Sequence, residues 1–181
     1  LTSAIGIWMG STTAGQTATG NTIHSLQNTT PTAATATAQG IYYTGPTSGT
    51  NVIERNLIHS LSLSTSSTSG AIYGIRVLTG VFPVNIQNNM VRLGIDAAGA
   101  DITTGYAIYG IGNASTGTTN HYFNTLYIGG SGVTGTTSNT IAMLASGALN
   151  TRAFQNNILV NTRDGGATGG NHYSFQIGGT G

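Results

Sequence analysis

The sequence predicts an all-β protein, a parallel β-helix (β-solenoid) of about five turns of roughly 34 residues each. Three observations carry this. An asparagine precedes a short apolar alternation five times: "NTIHSL" at Asn21, "NLIHSL" at Asn56, "NMVRLG" at Asn89, "NTLYIG" at Asn124 and "NILVNT" at Asn157, at intervals of 35, 33, 35 and 33 residues. A second marker, from "AIGIWM" to "HYSFQI", places a small residue at Gly6, Gly40, Gly74, Gly110, Ala142 and Ser174, at steps of 34, 34, 36, 32 and 32. Finally, the ordered stretches are four to six residues long, rich in β-branched and aromatic residues at period two. That pattern belongs to strands, and no window carries the 3.6-residue spacing of a helix.

The elements follow in order within each turn. In the strand opened by the small residue, the next position is Ile7, Ile41, Ile75, Ile111, Met143 and Phe175, and two places on come Met9, Tyr43, Val77, Asn113, Ala145 and Ile177. Three residues before the asparagine lie Ala18, Ile53, Ile86, His121 and Phe154, and two after it Ile23, Ile58, Val91, Leu126 and Leu159. Columns of this kind arise when each turn lays its strands about 4.8 Å from those of the last, so that like residues stack inside. The asparagines Asn21, Asn56, Asn89, Asn124 and Asn157 then form a structural ladder at a bend between two strands, each amide bonding those above and below for about 1 kcal/mol net. Ser/Thr/Gly stretches, such as "LSTSSTSGA" and "GSGVTGTTSN", recur once per turn and read as loops on one side of the stack.

Repeats such as "VIERNLIHSL", "VNIQNNMVRL" and "AFQNNILVNT", joined through Thr/Ser-rich loops to "YGI", resemble the parallel β-helix repeats of large secreted bacterial proteins, among them surface proteins of Bacteroidetes that carry a C-terminal sorting domain. The resemblance implies a right-handed coil, in line with the general crossover rule. It also implies an extracellular or cell-surface setting. The whole of 1–181 reads as a single β-solenoid segment, an excerpt of a longer repeat region, because both termini fall inside the repeat.

Composition narrows the function classes. Only 5% of the 181 residues are charged, against roughly 25% in typical globular proteins. The five basic residues are all arginine, and a net charge of +1 without a basic cluster argues against nucleic acid as a partner. No run of about 18 apolar residues is present to form a membrane span. The absence of cysteine excludes disulfides and thiolate-bound zinc.

Catalytic chemistry has little to work with. The acidic side chains are Glu54, Asp96, Asp101 and Asp164. Asp96 and Asp164 both lie seven residues after their asparagine, which puts them in one column two turns apart, near the carboxylate separation of an inverting glycosidase. Their Gly-rich context reads instead as loop-forming Asp. His24 and His59 stack as outward neighbours, and the column continues with Arg92, Tyr127 and Val160, which supply no third metal ligand. His121 falls in an inward column and reads as a core residue. We therefore expect no catalytic residue, no metal and no cofactor.

One surface stands out. With Ile7, Ile41 and Ile75 inward, Trp8, Tyr42 and Arg76 point outward in one column, and the alternation places Gly6, Gly40 and Gly74 on the same face. This makes a candidate contact strip, since aromatic and Arg side chains anchor interfaces. The reading is a non-enzymatic, secreted structural or adhesive solenoid: a stalk, adhesin or filament component. Its expected partners are further β-helix turns or copies of itself end to end, and a glycan or another surface protein. The alternative is a carbohydrate-binding or carbohydrate-active β-helix of the polysaccharide lyase or hydrolase kind.

Overall fold

The computed structural model describes residues 2–31, 35–148, 151–166 and 168–178; parts of two of the Ser/Thr/Gly stretches, residues 32–34 and 167, lie outside these. Three long parallel sheets wrap a single core, two further pairs of two-residue strands join neighbouring loops, and there is no helix among the described residues. The first sheet has six strands: Ser3–Met9, Thr37–Tyr43, Ala71–Gly80, Ala107–Ser115, Thr140–Ala145 and His172–Ile177. The second has five, Thr17–Thr19, Val52–Glu54, Val84–Gln87, Thr119–Tyr122 and Arg152–Gln155. The third also has five, Thr22–His24, Leu57–His59, Met90–Leu93, Thr125–Ile128 and Ile158–Asn161. In every sheet the hydrogen-bonded neighbour of a strand is the equivalent strand of the turn before or after. The fold is a β-solenoid of about five turns of ~34 residues.

Register turns sequence periodicity into packed columns. Ile7, Ile41, Ile75, Ile111, Met143 and Phe175 are successive partners in the first sheet. Ala18, Ile53, Ile86, His121 and Phe154 are so in the second, and Ile23, Ile58, Val91, Leu126 and Leu159 in the third. These columns meet in one hydrophobic core, in which Ile41, Ile53, Ile58, Ile75, Ile86 and Leu126 are fully buried. Each such side chain contributes about 1.5–3 kcal/mol relative to exposure.

The small-residue marker has a different geometry from the one the alternation predicts. Gly6, Gly40 and Gly74 do not lie on the outer face with the aromatic strip. The first-sheet strands kink there, and glycine and the following isoleucine both face inward. A Cβ on Gly40 would stand 2.6 Å from Ile58 Cγ2, and one on Gly74 would stand 2.4 Å from Val91 Cγ1. At Gly40 and Gly74 the first and third sheets leave no room even for a Cβ, and where the column does carry one, at Ala142, it is a single buried methyl, so the position is small in every turn. Two consecutive inward residues break the period of two, so Tyr73 and Arg76, three apart, share the outer face.

Loops also leave from two corners, not one. The long Ser/Thr/Gly segments connect the third sheet to the first, while shorter segments such as 44–51 and 116–118 connect the first to the second. The remaining corner, between the second and third sheets, is only two residues long in each turn, as in 55–56 and 123–124. Its first residue takes a left-handed backbone, with φ of 69° at Gly20, 54° at Arg55, 54° at Asn88, 55° at Phe123 and 55° at Asn156. Its second is the ladder asparagine.

Candidate functional site

The ladder is a continuous chain of amide bonds. Asn21 Nδ2 donates to Asn56 Oδ1 at 2.9 Å, Asn56 to Asn89 at 2.9 Å, Asn89 to Asn124 at 3.0 Å and Asn124 to Asn157 at 3.0 Å. Each acceptor oxygen also takes the backbone N–H of the preceding asparagine, at 2.9–3.1 Å. From Asn56 onward the second amide hydrogen goes to a second-sheet carbonyl one turn back, as from Asn89 to Ile53 O at 2.9 Å, whereas Asn21 donates to Thr19 O of its own turn. Asn56, Asn89 and Asn124 are buried, so an isolated amide there would cost about 1–3 kcal/mol per unmet group. These side chains hold turns in register. Their hydrogen-bonding capacity is spent inside the protein.

His121 shows what burial does to a titratable group in the same wall. Its Nε2 accepts from Asn113 Nδ2 at 3.0 Å, and Asn113 also donates to Thr119 Oγ1 at 2.9 Å. Phe154 stacks on its ring at 5.0 Å. Burial pushes its pKa down to about 3, with the Arg152 cation adding in the same direction. It stays neutral, as a packed core group.

The outward histidines are a ladder too. His24 and His59 stack with ring centroids 5.3 Å apart and planes 7° from parallel. Each Nδ1 lies 3.0 Å from the hydroxyl of the next serine, Ser25 or Ser60. Rings stacked in parallel at that spacing do not converge on one ion, which needs each nitrogen about 2 Å away. Partial burial, then His24 and Arg92, hold His59 below the ordinary histidine range.

Three of the four carboxylates are engaged where they sit. Glu54 accepts from Arg55 at 2.8 Å and from Gln87 at 2.8 Å, and the Gln87 bond is the main cause of its lowered pKa. Asp96 Oδ1 accepts two backbone N–H groups of its own loop, Ala98 and Ala100, both at 2.9 Å. That loop is closed by an antiparallel bridge between Ile95 and Asp101, while Asp164 stands beside Gly130 through its backbone N–H. Asp96 and Asp164 thus sit in unlike surroundings, and Asp96 performs a loop's work. Asp101 accepts from the Ser131 hydroxyl at 2.7 Å and its N–H at 3.0 Å, which lowers its pKa.

The outer face of the first sheet carries the most distinctive chemistry. Trp8, Tyr42 and Arg76 are register partners. The rings of Trp8 and Tyr42 stack at 6.5 Å, and the Trp8 indole N–H donates to Thr44 Oγ1 at 2.9 Å. The Arg76 guanidinium lies between two tyrosines, 5.5 Å from the Tyr42 ring and 4.8 Å from the Tyr73 ring. Tyr73 then stacks on Tyr109 at 4.8 Å and 17°. Sequence reasoning missed Tyr73 and Tyr109, because strict alternation turns them away from Arg76; the kink at Gly74 brings them round. Stacking along the axis also means that these rings show solvent their edges, while their faces cover one another. Only Trp8, 67% exposed at the end of the row, is largely open.

After Arg76 the column drops to Gly112 and then rises to Leu144. The missing side chain leaves a shallow groove of about 140 Å³ lined by Tyr73, Arg76, Tyr109, Gly112, Leu144 and Ser146. Burial raises the pKa of both Tyr73 and Tyr109, and the nearby Arg76 charge opposes this in each. Among the described residues no carboxylate comes within ion-pair distance of Arg76, and no helix is long and apolar enough to cross a membrane. Comparison with protein-family models, curated proteins and solved structures returned no match.

Proposed function

We propose that this chain is a structural or adhesive segment of a secreted bacterial surface protein, a non-enzymatic stalk, adhesin or filament component. The observation that carries the reading is the unbroken asparagine ladder with its aligned core columns. The same bonds repeat along the axis, so each turn supports the next, which is the property a load-bearing rod requires. A surface of Thr, Ser, Asn and Gly with few charges suits an extracellular setting.

Protease shaving of intact producing cells tests the reading. Peptides of this chain should be released from the surface, and purified protein should bind cells or matrix without altering it. Recovery only from the cytoplasmic fraction would overturn it. The aromatic and arginine strip favours carbohydrate binding as a second reading, with or without catalysis. Incubation with polysaccharides, followed by assay for new reducing ends and unsaturated products, separates a binder from a hydrolase or lyase.

A further inference from the structure

We infer that the groove over Gly112 is a subsite for one acidic sugar residue of a polysaccharide, with the sugar's anionic group on Arg76. The inference rests on the adhesive reading and names the ligand class that such a surface takes. The groove exists because one column position lacks a side chain. A Cβ on Gly112 would lie 3.0 Å from Tyr73 Cδ1 and Cε1, so the floor is backbone and the wall is aromatic edge. At about 140 Å³ it falls below the roughly 300–1,000 Å³ of sites that engulf a small molecule. It therefore suits one unit of a chain lying along the surface.

The chemistry of the walls selects the unit. Arg76 is held between the faces of Tyr42 and Tyr73, which leaves the guanidinium's donor edge for a ligand. Aromatic edges carry partial positive charge, and here the ring edges of Tyr73 and Tyr109 line the groove beside the cation. Thr79 and Ser146 add hydroxyls, while Val77, Leu78, Ala114 and Leu144 add apolar surface against which the C–H groups of a sugar ring can lie. Electropositive walls beside a cation favour a ligand with oxygen atoms around its rim and one negative charge. A uronic acid in a polysaccharide has both. A carboxylate and a sulfate ester would meet Arg76 alike, so the inferred ligand is an anionic pyranose, and the experiment distinguishes the two sources.

The test is titration calorimetry of the whole chain with four probes: a short oligogalacturonate, a sulfated heparin-type oligosaccharide, a neutral maltodextrin and an Asp/Glu-rich peptide. Binding of one or both acidic saccharides, weakened by salt, with neither maltodextrin nor peptide bound, is the expected result. R76Q should weaken that binding about tenfold or more, as for loss of one charged hydrogen bond, and R76K should retain part of it. Circular-dichroism melts establish that the variants fold. The wild-type comparison of acidic with neutral saccharide stands even if R76Q does not fold. Equal binding of maltodextrin, binding of the peptide in place of the sugars, no saccharide binding, or saccharide binding indifferent to R76Q in a folded variant would each overturn the inference. If the chain adheres to cells through another ligand, this inference fails while the adhesive reading stands.

Discussion

Two corners of each turn solve the same problem in opposite ways. Between the second and third sheets the chain reverses in two residues, a left-handed one and an asparagine, and the device repeats from Asn21 to Asn157. Between the third sheet and the first it runs through a long Ser/Thr/Gly loop, where short parallel pairings (Gln27–Asn28 with Ser62–Leu63, Thr136–Thr137 with Thr168–Gly169) are supplemented by side-chain fastenings that differ from loop to loop. One is tied by Thr65 and the backbone of Ser66 to Pro31. The next folds on Asp96 and sends the Tyr106 hydroxyl to the carbonyls of Thr65 and Leu63. A later one is pinned by Arg163, whose Nη2 donates to Ile102 O at 2.7 Å and Thr104 O at 3.0 Å. The tight corner is a ladder whose rungs share one cost and one benefit. The loop corner is a set of separate fastenings, each affecting its own neighbours.

Breaking the ladder should have the largest effect. Asn89→Leu removes the acceptor of both the Asn56 N–H and its side-chain amide, and the donor to Ile53 O. With each unmet buried group costing about 1–3 kcal/mol, the loss should be about 4 kcal/mol in denaturant melts. A change below about 1 kcal/mol would show that the amides are ornamental.

Acid should attack the same wall next. His121 has a folded pKa of about 3 against 6.5 for the free side chain. Between those values the unfolded chain takes up a proton that the folded chain refuses, so the stability it contributes is present above pH 6.5 and is lost as pH falls toward 3. His121→Phe, which can keep a ring against Phe154, should flatten that limb of the stability–pH curve. An unchanged limb would mean that His121 does not titrate as its burial requires.

At the loop corner the effects should be smaller and uneven. Arg163 is buried, and burial draws its pKa down while the Asp101 and Asp164 charges oppose this. Arg163→Met strands the Ile102 and Thr104 carbonyls and should cost about 2 kcal/mol, with fast hydrogen exchange confined to the loops around 102–104 and 163. Ser69→Ala, on an exposed loop position, should stay within about 0.5 kcal/mol. If Ser69→Ala matched Asn89→Leu, the contrast between corners would collapse.

The same contrast explains what was legible in the sequence. Much of what repeats each turn could be read: the asparagines, the inward isoleucine columns, the strand segments and the outward Trp8, Tyr42 and Arg76. Whatever occurs once could not. Arg163 looks like any surface arginine in "NTRDGG", and only the packed loop reveals that it is buried. Tyr106 carries no signal of its reach to Thr65. The left-handed backbone ahead of the ladder recurs in every turn and is still hard to read, since Gly20, Asn88 and Asn156 suit it but Arg55 and Phe123 do not announce it. The inward glycines are a third case. Their period was plain, but the kink that turns them inside depends on how closely Ile58 and Val91 approach from the opposite sheet. That distance belongs to tertiary packing.

Native-state hydrogen exchange, read residue by residue, tests the ladder most directly. The backbone N–H groups of Asn56, Asn89 and Asn124 are each bonded to a side-chain oxygen one turn on, an arrangement that would ordinarily exchange by local fraying. Protection should equal that of the central strand amides of Ile75 and Ile111, so that the tight corner opens only with the whole solenoid. Exchange of these three amides at the rate of loop amides such as Ser69, with the strands still protected, would contradict it.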